Sequence, residues 1–109
     1  MIVEEKTYNG YKYKIFKIED DPDDIYFCGY IGIPEGHKLY KVYYDDIEFI
    51  DTALLTFSAF SNAIGKDLWW IGFDTSNEGS NRDILTGYSL TDSIKLCESI
   101  IDQINRKYP

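Results

Sequence analysis

Residues 89–108 carry apolar side chains at Leu90, Ile94, Cys97, Ile101, Ile104 and Tyr108, in alternating steps of four and three. That recurrence is one stripe of an α-helix, and Leu96 and Ile100 widen it. Ser89 stands where the first turn needs a cap, with Asp92 three residues on. Asp92 falls near the positive end of the helix dipole, and Arg106 and Lys107 near the negative end. Each large apolar group buried by such a stripe contributes roughly 1.5–3 kcal/mol, so the helix must lie on an apolar partner. The patterns that precede it alternate with period two, which makes that partner a sheet.

The most informative alternation is Leu68-Trp69-Trp70-Ile71-Gly72-Phe73-Asp74, which runs into the polar loop Thr75-Ser76-Asn77-Glu78-Gly79-Ser80. Side chains alternate faces along a strand. Trp69, Ile71 and Phe73 therefore face a core, and Leu68, Trp70, Gly72 and Asp74 face away from it. A glycine inside a strand marks either the close approach of a ligand or a bulge. On the first reading Trp70 borders a small-molecule site; on the second it packs under a loop.

Elsewhere, Asn9-Gly10 is a hairpin signal. Tyr11–Ile18 reads as a strand with a solvated, lysine-bearing face (Lys12, Lys14, Phe16), as on an edge strand. Glu19–Asp24 is an acidic turn around Pro22, without the ligand spacing of a calcium loop. Ile25–Ile33 is a strand ended by Pro34-Glu35-Gly36-His37. Leu39–Tyr44 is a short aromatic segment, Ile47–Ile50 a brief extended one, and Leu54–Phe60 a strand with Leu55, Phe57 and Ala59 on one side. Ser61–Lys66 connects it to the double-tryptophan strand. The stretch Thr75–Gly87 is long for a plain connection and is of the kind that carries function.

These readings give one α+β domain over residues 1–109: a small, mostly antiparallel sheet of about four strands with the C-terminal helix packed on one face. The helix should contact Phe27, Ile31, Leu55, Phe57, Trp69 and Ile71. The opposite face should display Tyr26, Tyr30, Thr56, Ser58, Trp70 and Asp74, a set suited to a ligand groove or a subunit interface.

Apolar residues make up 44% of the 109, enough for a packed core. The net charge of −8 disfavours nucleic-acid binding through phosphate neutralisation, though it leaves room for one local cationic pocket. No apolar run reaches the ~20 residues that span a bilayer, and the first residues lack a signal-peptide profile, so a cytoplasmic location is expected. Cys28 and Cys97 are expected as buried thiols.

The chemistry is sparse. One histidine and no paired cysteines make a zinc site unexpected. Ser58 and Ser76 lack the nucleophile-elbow context, and Gly65-Lys66 lacks the rest of a phosphate-cradling loop. No cofactor, metal or catalytic set is expected. For binding, Trp70 and Tyr30 offer stacking surfaces. Thr56, Ser58, Asp74, Thr75, Ser76 and Asn77 offer hydrogen bonds. Arg82, His37 and Lys38 would meet an anion. Such a set fits a nucleotide-like ligand, and equally an ordinary tyrosine-rich interface.

Three stretches together resemble a family of small, mostly uncharacterised phage and prophage proteins: Gly29-Tyr30-Ile31-Gly32-Ile33-Pro34-Glu35-Gly36-His37-Lys38-Leu39-Tyr40, Leu55-Thr56-Phe57-Ser58, and Trp69 to Ser80. The likeness covers the middle half of the chain. Asn77 and Ser80 stand where the family tends to carry His and Asp, and Ala53-Leu54 where paired glycines are usual. The resemblance implies a phage accessory protein in the host bacterial cytoplasm, of the counter-defence kind that sequesters a cyclic nucleotide or ADP-ribose-type signal without altering it. A homo-oligomer is expected, because one small sheet offers little concavity. Two alternatives stand beside this: an acidic protein-binding inhibitor or DNA mimic built on the Asp20–Asp24 cluster, and a small nucleotide hydrolase acting through Asp74.

Overall fold

The computed structural model describes residues 1–22, 24–50, 55–76 and 87–109. Five strands form one antiparallel sheet: β1 (Ile2–Tyr8), β2 (Tyr11–Asp21), β3 (Asp24–Pro34), β4 (Phe57–Ser61) and β5 (Gly65–Asp74). Their order is β1-β2-β3-β5-β4. A 3-10 turn at Tyr44–Asp46 lies in the connection from β3 to β4. The helix α1 (Leu90–Lys107) follows β5 and covers one face. The α+β class with its C-terminal helix is as expected.

The sheet has a fifth strand. Asn9 and Gly10 take positive φ values of 47° and 93°, the conformation a two-residue hairpin turn requires, and Tyr8 pairs with Tyr11 across it. β1 thereby takes the edge position expected for the Tyr11–Ile18 strand. Lys14, read as solvated, is largely buried: its side chain is 13% exposed and pairs with Glu5 on β1 at 3.4 Å.

The core between sheet and helix draws on Tyr13 and Ile15 from β2, Ile31 and Ile33 from β3, and Trp69, Ile71 and Phe73 from β5. Cys97, Ile100, Ile101 and Ile104 of α1 meet them, all at 0% exposure. Ser89 and Asp92 form the reciprocal capping box, Ser89 Oγ accepting from Asp92 N at 3.1 Å and Asp92 Oδ2 from Ser89 N at 3.1 Å. Polar ties fix the helix to the first hairpin. Tyr13 donates to Glu98 at 2.9 Å, Tyr8 and Asn9 donate to Asp102 at 3.2 Å each, and Asn105 donates to the Asn9 carbonyl at 3.0 Å. Both cysteines are free and buried.

β4 corrects the expected facing. The strand begins at Phe57, which pairs with Gly72, while Ser58 pairs with Ile71. Phe57 therefore lies on the face away from the helix, edge-on to Tyr30 at 5.2 Å, and Ser58 lies on the helix side. Leu55 is still a core residue, because it precedes the strand and escapes its alternation. A one-residue change of register moves every side chain to the other face.

β3 and β5 interlock through glycine–aromatic pairs. Gly29 is paired with Phe73, Tyr30 with Gly72, and Gly32 with Trp70. At each glycine the ring opposite lies within 3.1 Å of where a Cβ would stand, joined by Leu68 Cδ1 at Gly32 and by the Gly29 carbonyl oxygen at Gly72. A Cβ on Gly29 would meet Phe73 Cζ at 2.4 Å, one on Gly72 would meet Tyr30 Cδ1 at 2.6 Å, and one on Gly32 would meet Trp70 Cζ3 at 3.1 Å.

Candidate functional site

Of the two readings of Trp70, bordering a small-molecule site at Gly72 or packing under a loop, the structure shows the second. Trp70 is 0% exposed, and the space at Gly72 is filled by the ring of Tyr30. The turn that joins β4 to β5 closes over the indole. Trp70 Nε1 donates to the Gly65 carbonyl at 2.9 Å. Lys14 Nζ sits 5.7 Å from the ring centroid and donates to the Ile64 carbonyl at 2.6 Å. Trp69 is buried on the helix side, its Nε1 donating to the Val42 carbonyl at 2.9 Å. Neither indole is a stacking platform, because each has its apolar faces covered and its one donor engaged within the chain.

The hydrogen-bonding set divides. Thr56, Asp74 and Ser76 come together at the end of β5. Asp74 Oδ1 accepts from Ser76 N at 3.1 Å and Ser76 Oγ at 2.9 Å, and Oδ2 accepts from Thr56 Oγ1 at 3.4 Å. This is a turn in which an aspartate holds its own backbone. Thr75 prolongs the ladder: its N donates to the Phe27 carbonyl and its Oγ1 accepts from Phe27 N, both at 2.9 Å. Ser58 Oγ accepts from Tyr44 N at 3.1 Å and anchors the 3-10 turn instead of joining the others. Asn77 and Arg82 lie outside the described residues, as do the side chains of Asp20, Asp21, Asp23 and Asp24.

Cys28 and Tyr30 stand beside the Asp74 cluster on the same face, Cys28 directly opposite Asp74. Burial pushes the Cys28 thiol up to about 11, with a hydrogen bond to Tyr30 acting against it and the nearby Asp74 carboxylate adding to it. Burial likewise raises the Tyr30 phenol. Both are protonated at neutral pH, and a protonated thiol is a poor nucleophile. Tyr30 is half-buried between Phe16 at 5.6 Å and Phe57 at 5.2 Å, both edge-on. The arrangement supplies hydrogen bonds and aromatic edges but no activated group.

His37 is a packing residue. Its Nδ1 accepts from Leu39 N at 3.0 Å, which leaves Nε2 to carry the proton and donate to Tyr11 Oη at 2.7 Å. The ring is edge-on to Tyr11 and to Tyr108. Burial holds its pKa below the ordinary histidine value. A neutral imidazole with both nitrogens engaged does not meet an anion, contrary to the role expected for it.

One concavity lies at the C-terminal end of α1, beside Lys107 and Tyr108; another, of about 350 Å³, lies at its N-terminal end against Tyr88, Asp92, Lys95 and Leu96. Leu39 and Ile47, both nearly inaccessible, are among the linings of the first. Lys38, Asp46, Glu48 and Lys107 contribute charge, and Phe49 and Tyr108 contribute rings packed edge-on at 5.6 Å. This hollow encloses about 220 Å³, and a second of about 260 Å³ shares Phe49 and Lys107 with it and adds Gln103 and Arg106. Each alone is smaller than the roughly 300–1,000 Å³ typical of small-molecule sites, and both are open to solvent. None of Lys38, Arg106 and Lys107 is in an ion pair with a described residue.

Of the expected anion contacts, Lys38 alone among the described residues belongs here. Arg106 and Lys107 read in the sequence as complements to the helix dipole, and Tyr108 as the last residue of the apolar stripe. The available signal was the pairing of a basic helix end with an aromatic residue, but the partner segment at 46–49 is more than fifty residues away in the chain.

Among the described residues no group of three or more His, Cys, Asp or Glu side chains is placed to hold a metal ion. No helix among them is long and apolar enough to cross a membrane. Comparison with protein-family models, curated proteins and solved structures returns no match.

Proposed function

We propose that this chain is a non-enzymatic binding protein for a small anionic ligand bearing a planar ring, of the nucleotide-derived class, and that the ligand sits in the cleft at the end of α1. One observation carries the reading. In a chain of net charge −8, three cations with no ion-pair partner among the described residues line two adjoining hollows that share Phe49 and Lys107, Arg106 in the one without a carboxylate and Lys38 in the one that also carries Asp46, Glu48 and Tyr108. Cations oriented around a hollow give local anion affinity that the overall charge opposes only at long range. Ring stacking on Phe49 or Tyr108 would supply the apolar part. The non-enzymatic part of the reading is supported by a Cys28 thiol and a Tyr30 phenol that burial keeps protonated and by a His37 engaged in packing. Sequestration of an immune signal by a phage protein in the host bacterial cytoplasm is the biological setting that the motif resemblance supports. The cleft is open to solvent, and a second copy of the chain is the proposed means of enclosing the ligand.

Native mass spectrometry of the protein incubated with a panel of mono-, di- and cyclic nucleotides tests this. A bound mass equal to that of the free nucleotide is expected, with the ligand released intact by heat. Replacing Arg106 and Lys107 together by Gln should weaken binding at least tenfold while the fold persists by circular dichroism. Full affinity in that variant overturns the location, and a released product of altered mass overturns the non-enzymatic reading.

A further inference from the structure

Resting on that reading, we infer that the base preferred by the helix-end cleft is of guanine type, one that presents a ring N–H beside an exocyclic amine. The two hollows differ in charge. The one bounded by Phe49 and the helix carries Arg106 and Lys107 and no carboxylate. The other carries Asp46 and Glu48 together with Lys38 and Lys107. Phe49 borders both. A ligand laid across that ring with its phosphate in the carboxylate-free hollow, beside Arg106 and Lys107, has its base beside Asp46 and Glu48.

Among the described residues neither carboxylate is in an ion pair or a side-chain hydrogen bond. An ionised carboxylate accepts and cannot donate. Guanine offers two adjacent donors, the ring N–H and the amine, which match the two oxygens of one carboxylate. Adenine and cytosine place a ring acceptor next to their amine, and uracil flanks its ring N–H with two carbonyls. Each of these sets a lone pair against a carboxylate oxygen. A complementary bidentate pair is worth roughly tenfold or more in discrimination between bases.

Isothermal titration of the full chain with GMP, IMP, AMP and, as a probe without a base, ribose 5-phosphate tests this. GMP is expected to bind about tenfold tighter than AMP, with IMP between them because it keeps the ring N–H and lacks the amine. In the double variant Asp46→Asn, Glu48→Gln the GMP and AMP affinities should fall within about twofold of each other. Both side chains are solvent-exposed, and an unchanged melting midpoint would confirm that the variant is folded. AMP binding as tightly as GMP, or an undiminished GMP preference in the double variant, overturns the inference. If all four probes bind alike, base selection is overturned and anion binding at the cleft stands. If none binds, the binding reading fails and this inference with it.

Discussion

Replacing Trp70 by Ala separates the two roles its sequence position allows. Were the indole a ligand platform, the fold would survive its removal. The structure makes it a core element of the face opposite the helix. The side chain is 0% exposed, packed over Gly32, capped by Lys14 at 5.7 Å and tied through Nε1 to Gly65 at 2.9 Å. Truncating a buried Trp to Ala costs about 3–5 kcal/mol. The loss of a hydrogen bond that closes the β4–β5 turn puts this site toward the upper end of that range. A small domain has about 5–15 kcal/mol in total. At roughly 4–8 °C per kcal/mol for a domain near this size, the melting midpoint should fall by about 20 °C or more. Thermal and urea unfolding, both followed by far-ultraviolet circular dichroism, measure the melting midpoint and the free-energy loss without relying on tryptophan fluorescence. Trp70→Phe, which keeps most of the ring and loses the Nε1 donor, should cost about half as much. A Trp70→Ala variant within about 1 kcal/mol of the parent would refute the packing argument, since no buried indole is removed that cheaply.

Two further outcomes follow from the geometry. His37 has its pKa held down by burial, so the unfolded chain binds the proton more readily. Its contribution to stability is complete above the unfolded value of about 6.5 and is lost as pH falls through the lower folded value; urea midpoints between pH 7.5 and 5 should show a smaller acid loss in His37→Gln than in the parent. Gly72→Ala would set a Cβ 2.4 Å from the Gly29 carbonyl oxygen, a backbone atom that the β3–β5 ladder holds in place; a loss of about 3 kcal/mol, the top of the overpacking range, is expected in the same urea assay.

The helix was legible because its information is local: the stripe, the Ser89–Asp92 box and the basic end lie within one run of the chain. The Asn9-Gly10 turn was legible for the same reason. β1 escaped notice because Ile2–Tyr8 is an edge strand with most of its side chains in solvent, so Glu4, Glu5 and Lys6 interrupt any apolar alternation. The facing of Phe57 and Ser58 depends on where β4 begins to pair with β5, and Leu54–Phe60 alternates equally well in either register. Period two also placed Trp70 correctly on the face away from the helix. What it could not supply is the cover, because Ile64, Gly65 and Lys14 reach the indole through a turn and through another strand. Burial on the open face of a sheet is a tertiary property, and one strand read alone does not contain it.

The stretch that most resembled a binding signature is a packing device of the β3–β5 ladder. Gly29, Gly32 and Gly72 stand opposite Phe73, Trp70 and Tyr30 in the β3–β5 ladder, and each aromatic ring fills the place its partner glycine leaves vacant. Cross-strand pairs of this kind pin register and protect the glycine backbone. A sequence that needs three such pairs must show glycines and aromatic residues at fixed spacing in two separate strands, whether or not it binds anything. The Gly-Tyr-x-Gly and Trp-Trp-x-Gly-Phe spacings are thus accounted for by packing, and they do not locate a ligand. A binding argument has to rest on side chains that the fold leaves unengaged. By that criterion the weight passes from Trp70 and His37, whose polar atoms are spent internally, to Lys38, Arg106 and Lys107 around the cleft at the end of α1.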